Sequence, residues 1–152
     1  MIARIGVALA AIVGSCVLAA PAEATTGCSQ ADSQAASQKY LDALTDRHAA
    51  WSIPLTPIVI RTENGIPTAF TAADLKLQLY LHIQYSVFES IENVVWTWQP
   101  DGRENVIKAV YDIPVGVGGQ PLASSTVDED FTLTPDCRIK RIDATFTVEP
   151  PA

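Results

Sequence analysis

Apolar residues change their spacing along this chain, and each change marks a different kind of element. Residues 32–50 hold neither Gly nor Pro and are rich in Ala and Gln. Within and just beyond them Leu41, Leu44, His48 and Trp51 follow one another at steps of three, four and three. Those steps place all four on one face of a helix, with Asp42, Asp46 and Arg47 turned toward solvent. Pro54 and Pro57 end the segment. The β-branched run Ile58-Val59-Ile60-Arg61-Thr62-Glu63 then reads as a strand, and Asn64-Gly65 supplies the two left-handed residues of a tight hairpin turn. Residues 66–70 form the return strand, and Pro67 marks it as a sheet edge. Thr71 can cap a helix over 72–81 with Asp74 in its first turn. Leu75 and Leu79 mark its inner face, and Leu77 and Leu81 widen the stripe.

Beyond residue 82 the period falls to two. Strands are expected over 83–98, 105–113, 123–133 and 138–148, separated by turns rich in Pro, Gly and Asp. Helix, hairpin, helix and four successive strands define an α+β domain, with helices covering one face of an antiparallel sheet.

The ends of the chain speak to compartment. Residues 1–4 carry one positive charge, residues 5–20 are almost wholly apolar, Pro21 breaks the run, and Ala22-Glu23-Ala24 has small residues at both positions a signal peptidase requires. This is the export-signal pattern, with cleavage expected after Ala24 and a secreted or otherwise extracytoplasmic mature protein. The domain is then residues 25–149, with a tail at 150–152. The apolar run is shorter than the ~20 residues a membrane span requires, so no membrane association is expected of the mature form. Val13-Gly14-Ser15-Cys16 loosely resembles a lipoprotein box, but mostly apolar residues follow Cys16 where a polar tether is usual. Cleavage leaves two cysteines, Cys28 and Cys137, and in an oxidising compartment two cysteines have one pairing open to them.

The formal net charge is −7, with 10 Lys and Arg against 17 Asp and Glu, which disfavours nucleic acid and anionic membranes as partners. Histidines are two, too few for a typical zinc cluster, so no metal and no cofactor is expected. Gly116-Val117-Gly118-Gly119 lies between strands and reads as a hairpin turn rather than a phosphate cradle.

The order of elements resembles the nuclear transport factor 2-like (SnoaL-like) cone fold, a cystatin-like architecture. The resemblance is carried by Arg61-Thr62-Glu63-Asn64-Gly65 as the early hairpin and by the final strand pair. In that pair Asp130-Phe131-Thr132-Leu133 is followed by Thr134-Pro135-Asp136-Cys137, then Arg138-Ile139-Lys140-Arg141-Ile142 and Phe146. It implies a strongly curved antiparallel sheet roofed by the N-terminal helices around a cone-shaped apolar pocket. Cys137, where that family often has Gly, fits a disulfide-linked exported branch. The superfamily holds ketosteroid isomerase, scytalone dehydratase, limonene-epoxide hydrolase and polyketide cyclases beside binding and assembly domains. None of their catalytic signatures is present to be transferred, and fold alone does not name a function.

Candidate chemistry therefore comes from polar residues on faces that should be apolar. His48 lies on the inward stripe of the first helix between Leu44 and Trp51, and imidazole titrates near neutrality. The plainer reading is a core or rim histidine bonded to a carbonyl. Glu129 shares a strand face with Val127, Phe131 and Leu133, where a carboxylate gains a raised pKa and can act as acid or base. A bulge, or a place at a wet cone mouth, would remove that role. Tyr111 shares its face with Ile107, Ala109 and Ile113 and could donate to a ligand oxygen; a core aromatic is the alternative. Trp96 and Trp98 share a face and, with Trp51, could wall a flat apolar ligand. Tyr85 and Glu89 are weaker candidates. Three functions follow as expectations: a pocket for a small hydrophobic molecule; a cofactor-free isomerase, dehydratase, cyclase or epoxide hydrolase with His48, Glu129 and Tyr111 as catalytic groups; or a module that homodimerises through its outer sheet face.

Overall fold

Residues 27–102 and 104–150 are described by a computed structural model of the chain. The export signal read at 1–24 and the last two residues of the tail lie outside them.

Ser29 opens the first helix, its Oγ accepting from the Asp32 amide at 3.1 Å. This helix, α1, runs Gln30–Thr45 and buries Ser33, Ala36, Ser37, Tyr40, Leu41 and Leu44 at helical spacing. It stops five residues short of the expected end. Asp46 leaves helical backbone (φ −120°, ψ 101°), and its carboxylate accepts from the His48 amide at 2.9 Å to start a separate 3-10 turn, Arg47–Ser52. That turn winds at three residues rather than 3.6, so the periodicity that buries Leu41 and Leu44 is lost past Asp46. His48 and Trp51 consequently face outward, correcting their expected place on the inner stripe.

Strands β1 (Leu55–Glu63) and β2 (Ile66–Thr71) form the expected hairpin, with Asn64 at φ 47° and Gly65 at φ 81°. β1 starts three residues earlier than expected and includes Pro57, next to a register irregularity. β2, with Pro67, is an edge strand. Helix α2 spans Ala72–Leu81, capped by Thr71 Oγ1 on the Asp74 amide at 3.1 Å. Leu75 and Leu79 are buried, whereas Leu77 and Leu81 stay about half exposed, so the inner stripe is narrower than expected.

The strand expected over 83–98 is reduced to β3, Glu92–Trp98. His82 adopts a left-handed backbone (φ 56°) that reverses the chain, and local bonds such as Phe88 N to Tyr85 O at 3.0 Å hold residues 83–88 in turns. The resulting strap touches the sheet at Phe88, which bridges to Val115. The long strands β4 (Asn105–Val117), β5 (Gln120–Leu133) and β6 (Ile139–Glu149) complete a curved, unclosed six-stranded sheet ordered β2-β1-β6-β5-β4-β3. Its pairs are antiparallel except β1–β6, which is parallel, so the sheet is mixed rather than wholly antiparallel. α1 packs on the inner face, with the Tyr40 ring edge-on to Phe131 at 5.5 Å. Cys28 and Cys137 are joined in a disulfide, Cα to Cα 5.0 Å, across 109 residues of sequence. The outer face is charged: Lys108 pairs with Asp128 at 2.7 Å and Arg141 with Asp143.

Candidate functional site

Cross-strand register decides what the inner face can hold. At one level of the sheet Ala109, Glu129, Ala144 and Glu63 stand side by side on β4, β5, β6 and β1. Alanine on both flanks leaves a hollow around the Glu129 carboxyl. One level along stand Tyr111, Val127 and Phe146, then Ile113, Ser125 and Val148. β5 runs from Ala123 to Thr132 without a bulge, so strict alternation keeps Glu129 on the same face as Val127 and Phe131.

Glu129 is fully buried. The Tyr111 hydroxyl donates to its Oε2 at 2.7 Å, while among the described residues no hydroxyl or N–H completes a hydrogen bond to Oε1. Burial pushes its pKa up to about 7, against the opposing pull of the Arg61 charge and of the Tyr111 and Tyr40 hydroxyls. Arg61 is itself buried, reaching inward from β1. Its Nε donates to the Tyr40 Oη at 2.6 Å, and its Nη1 to Glu63 and, at 3.2 Å, to Thr68 Oγ1. Its Cζ lies 5.8 Å from the Tyr40 ring centre and 5.9 Å from that of Tyr85. Burial disfavours the charge on its guanidinium, but the oxygens of Tyr40 and Tyr85 and the Glu129 and Glu63 carboxyls around it outweigh burial and keep it charged. Burial raises the pKa of Tyr40, Tyr111 and Tyr85, so all three remain neutral hydroxyls at physiological pH.

Except for Tyr40 and Thr68, these groups border a cavity of about 220 Å³. Glu129, Tyr111, Arg61 and Tyr85, with Glu63, Gln84 and Ser125, supply its polar part, and Ile113, Val115, Val127, Phe146 and the strap residue Phe88 its apolar walls. The Tyr85 hydroxyl, like Glu129 Oε1, is buried without a partner in hydrogen-bonding geometry among the described residues, with Gln84 its polar neighbour.

Of the residues singled out from sequence, Glu129, Tyr111 and Tyr85 come together here. His48 does not: it is exposed, its ring 6.1 Å from that of Tyr80 on the outside of the helical layer. The aromatic wall is likewise absent from the cavity. Trp51 is exposed beside Tyr80, and Trp96 packs on Phe131 at 6.2 Å with Trp98 beside it in the core margin. Glu89 is exposed against Gly116. Arg61 and Tyr40 join the site without having stood out in the sequence, although both carry a signal there. Arg61 is two residues from buried Val59 on one strand face, and Tyr40 precedes Leu44 by one helical turn. Among the described residues no group of three His, Cys, Asp or Glu could hold a metal ion, and no helix is long and apolar enough to cross a membrane.

The fold is that of the nuclear transport factor 2-like superfamily. A steroid delta-isomerase from Pseudomonas aeruginosa is 17% identical over 78% of this chain and 81% of its own, with a TM-score of 0.52. An M. tuberculosis LEH-like epoxide hydrolase is 15% identical over 77% and 84%, TM-score 0.55. A de novo designed protein with a curved β-sheet is 14% identical over 78% and 88%, TM-score 0.52. That a designed scaffold matches as well as the two enzymes shows that the likeness is one of architecture. No curated protein matches the chain. The chain belongs to the family described as Domain of unknown function (DUF8021), whose profile matches residues 27–146.

Proposed function

We propose that this domain takes a small, mostly apolar molecule into the cavity and uses Glu129 as a general base or acid on it, without a cofactor. The observation that carries the reading is Glu129 itself: a buried carboxyl bordering the cavity, held at Oε2 by Tyr111 and unpartnered at Oε1. A buried acid is costly unless satisfied, and placing one between two alanines on an apolar wall serves proton exchange with a guest. Oε1 would accept a proton from an acidic C–H or O–H of the bound molecule while the Tyr111 hydroxyl steadies the other oxygen. Arg61, charged and close enough to lower the carboxyl pKa, tempers the cost of the carboxylate form. A pKa near 7 suits either direction of transfer at neutral pH. Several architectural neighbours are isomerases, cyclases or epoxide hydrolases, which agrees with the reading without dictating it.

The test uses 5-nitrobenzisoxazole, whose C–H deprotonation by a base breaks the N–O bond and releases a coloured cyanophenolate. Wild-type protein should open the ring at a rate that rises through pH 7 as Glu129 loses its proton. Glu129→Gln should lose that activity by at least about 100-fold, the usual worth of a positioned base. Equal rates in the two proteins would end the acid–base reading and leave a binding pocket.

Export belongs to the same proposal and draws support from the Cys28–Cys137 pairing, a bond typical of oxidising compartments. The intact mass of protein recovered from the culture medium should match a chain beginning at Thr25 with no free thiol; a mass retaining residues 1–24 would refute cleavage.

A further inference from the structure

The cavity is graded from end to end, and the grading carries information about its guest. At the Glu129 level the lining is acidic and mostly closed: Glu129 is 0% and Ala144 4% exposed, with Glu63 half-buried at the side. Moving along β5 and β6 toward the β4–β5 hairpin, the lining turns mostly apolar, with Ser125 spent on the Thr147 carbonyl, and opens on the β6 side, where Val148 is 64% exposed while still bordering the cavity. Glu129 and Ser125, the residue paired with Val148, are four positions apart, or about 14 Å along a strand. The site is therefore a short apolar channel with one polar end, deep inside, and a greasy mouth.

Among the described residues, two buried polar atoms bordering this channel, Glu129 Oε1 and the Tyr85 hydroxyl, have no partner in hydrogen-bonding geometry, though Tyr40 stands near the first residue and Gln84 near the second. One can accept and the other can both donate and accept. A buried polar group left unpaired is unfavourable, so a head group that offers a donor and an acceptor would relieve both. Charge narrows the choice further. An anionic head would enter beside Glu129 and Glu63, and a cationic head would be buried with the Arg61 guanidinium. Arg61 is already engaged by Tyr40, Glu63 and Thr68, which leaves it poorly placed to neutralise an incoming acid.

Resting on the cavity reading above, we propose that the natural guest is an uncharged amphiphile: a single hydroxyl- or carbonyl-bearing head seated against Glu129 and Tyr85, with a narrow hydrocarbon tail running past Phe146 to Val148. Carboxylates and amines with the same tail are rejected.

Octan-1-ol, octanoate and octylammonium share one tail and differ in the charge of the head, so they serve as probes. Titrated calorimetrically at pH 8, octan-1-ol should bind at least tenfold more tightly than either charged analogue. Glu129→Gln should narrow the gap between octan-1-ol and octanoate, because the repelling carboxylate is gone. Val148→Asp, at an exposed position that tolerates a polar group, should weaken octan-1-ol binding several-fold while leaving the melting temperature near that of wild type. Equal or tighter binding of octanoate or octylammonium to the wild type would overturn the proposal, as would octan-1-ol affinity unchanged by Val148→Asp. If none of the three probes binds while 5-nitrobenzisoxazole is still opened in a Glu129-dependent way, the guest class is wrong and the acid–base reading stands. If octan-1-ol is preferred and no ring opening occurs, the class survives and the chemistry falls.

Discussion

At Glu129, burial and hydrogen bonding pull proton affinity in opposite directions. Burial raises the pKa, while Arg61 and two hydroxyls lower it, and the balance lies at about 7 against an ordinary value of 4.5. This has a consequence for stability. In the unfolded chain Glu129 loses its proton near pH 4.5; in the folded protein it keeps it until about pH 7. Between those values the folded state binds more protons, so stability falls as pH rises. A shift of that size corresponds to roughly 3 kcal/mol, fully lost above pH 7. Urea unfolding of wild type between pH 4.5 and 8.5 should show the decline, and Glu129→Gln should flatten it; parallel profiles would mean that Glu129 ionises normally. The place of this residue is legible in the sequence alone, because strict two-residue alternation on β5 puts it in line with Val127 and Phe131. The place of His48 is not, for an equally local reason: one aspartate beyond Thr45 ends the helix whose period would otherwise run through it.

At the scale of elements, the legible parts are those whose ends carry chemistry. Thr71 and Asp74 announce α2, and Asn64-Gly65 announces the β1–β2 turn. The strap at 83–91 is illegible, since its apolar residues alternate like a strand while its backbone bonds are spent in turns. Arg61 is hidden in the same way, because an arginine between β-branched residues reads as a solvent-facing position until the helix and strap tyrosines that cover it, Tyr40 and Tyr85, are known. The strap is held to β4 by two backbone hydrogen bonds, Gly116 N to Val87 O at 2.9 Å and Glu89 N to Pro114 O at 3.1 Å, which together form the Phe88–Val115 bridge. Gly116 makes this approach possible. A Cβ there would collide with Glu89 Oε1, which can swing away, and would stand 2.9 Å from the Gln120 carbonyl, which cannot. Gly116→Ala should therefore cost about 1–3 kcal/mol, the usual penalty of overpacking. It should also speed amide exchange at residues 87–89. Unchanged exchange in the variant would show that the strap is held some other way.

For the whole molecule, the disulfide closes a loop spanning nearly all of the described residues, from the lead-in of α1 to the β5–β6 turn. In the chain-entropy account a loop of this length stabilises by about 4–5 kcal/mol, and native bonds in small exported domains typically contribute about 2–5 kcal/mol. Since a domain of this size has only about 5–15 kcal/mol in total, reduction should lower the urea midpoint sharply. A midpoint that does not respond to reductant would show that the helical layer is anchored without it.

The parallel pairing of β1 with β6 carries an implication for biogenesis. Arg61 and Ile142 are partners about eighty positions apart, and the cup has no second wall until the last strand arrives. A polypeptide made N-terminus first thus stays unclosed until β6 has emerged. Late closure of this kind leaves the Glu129 pocket to assemble last, and it is what the proposed export would require, since an unclosed chain can pass a translocase.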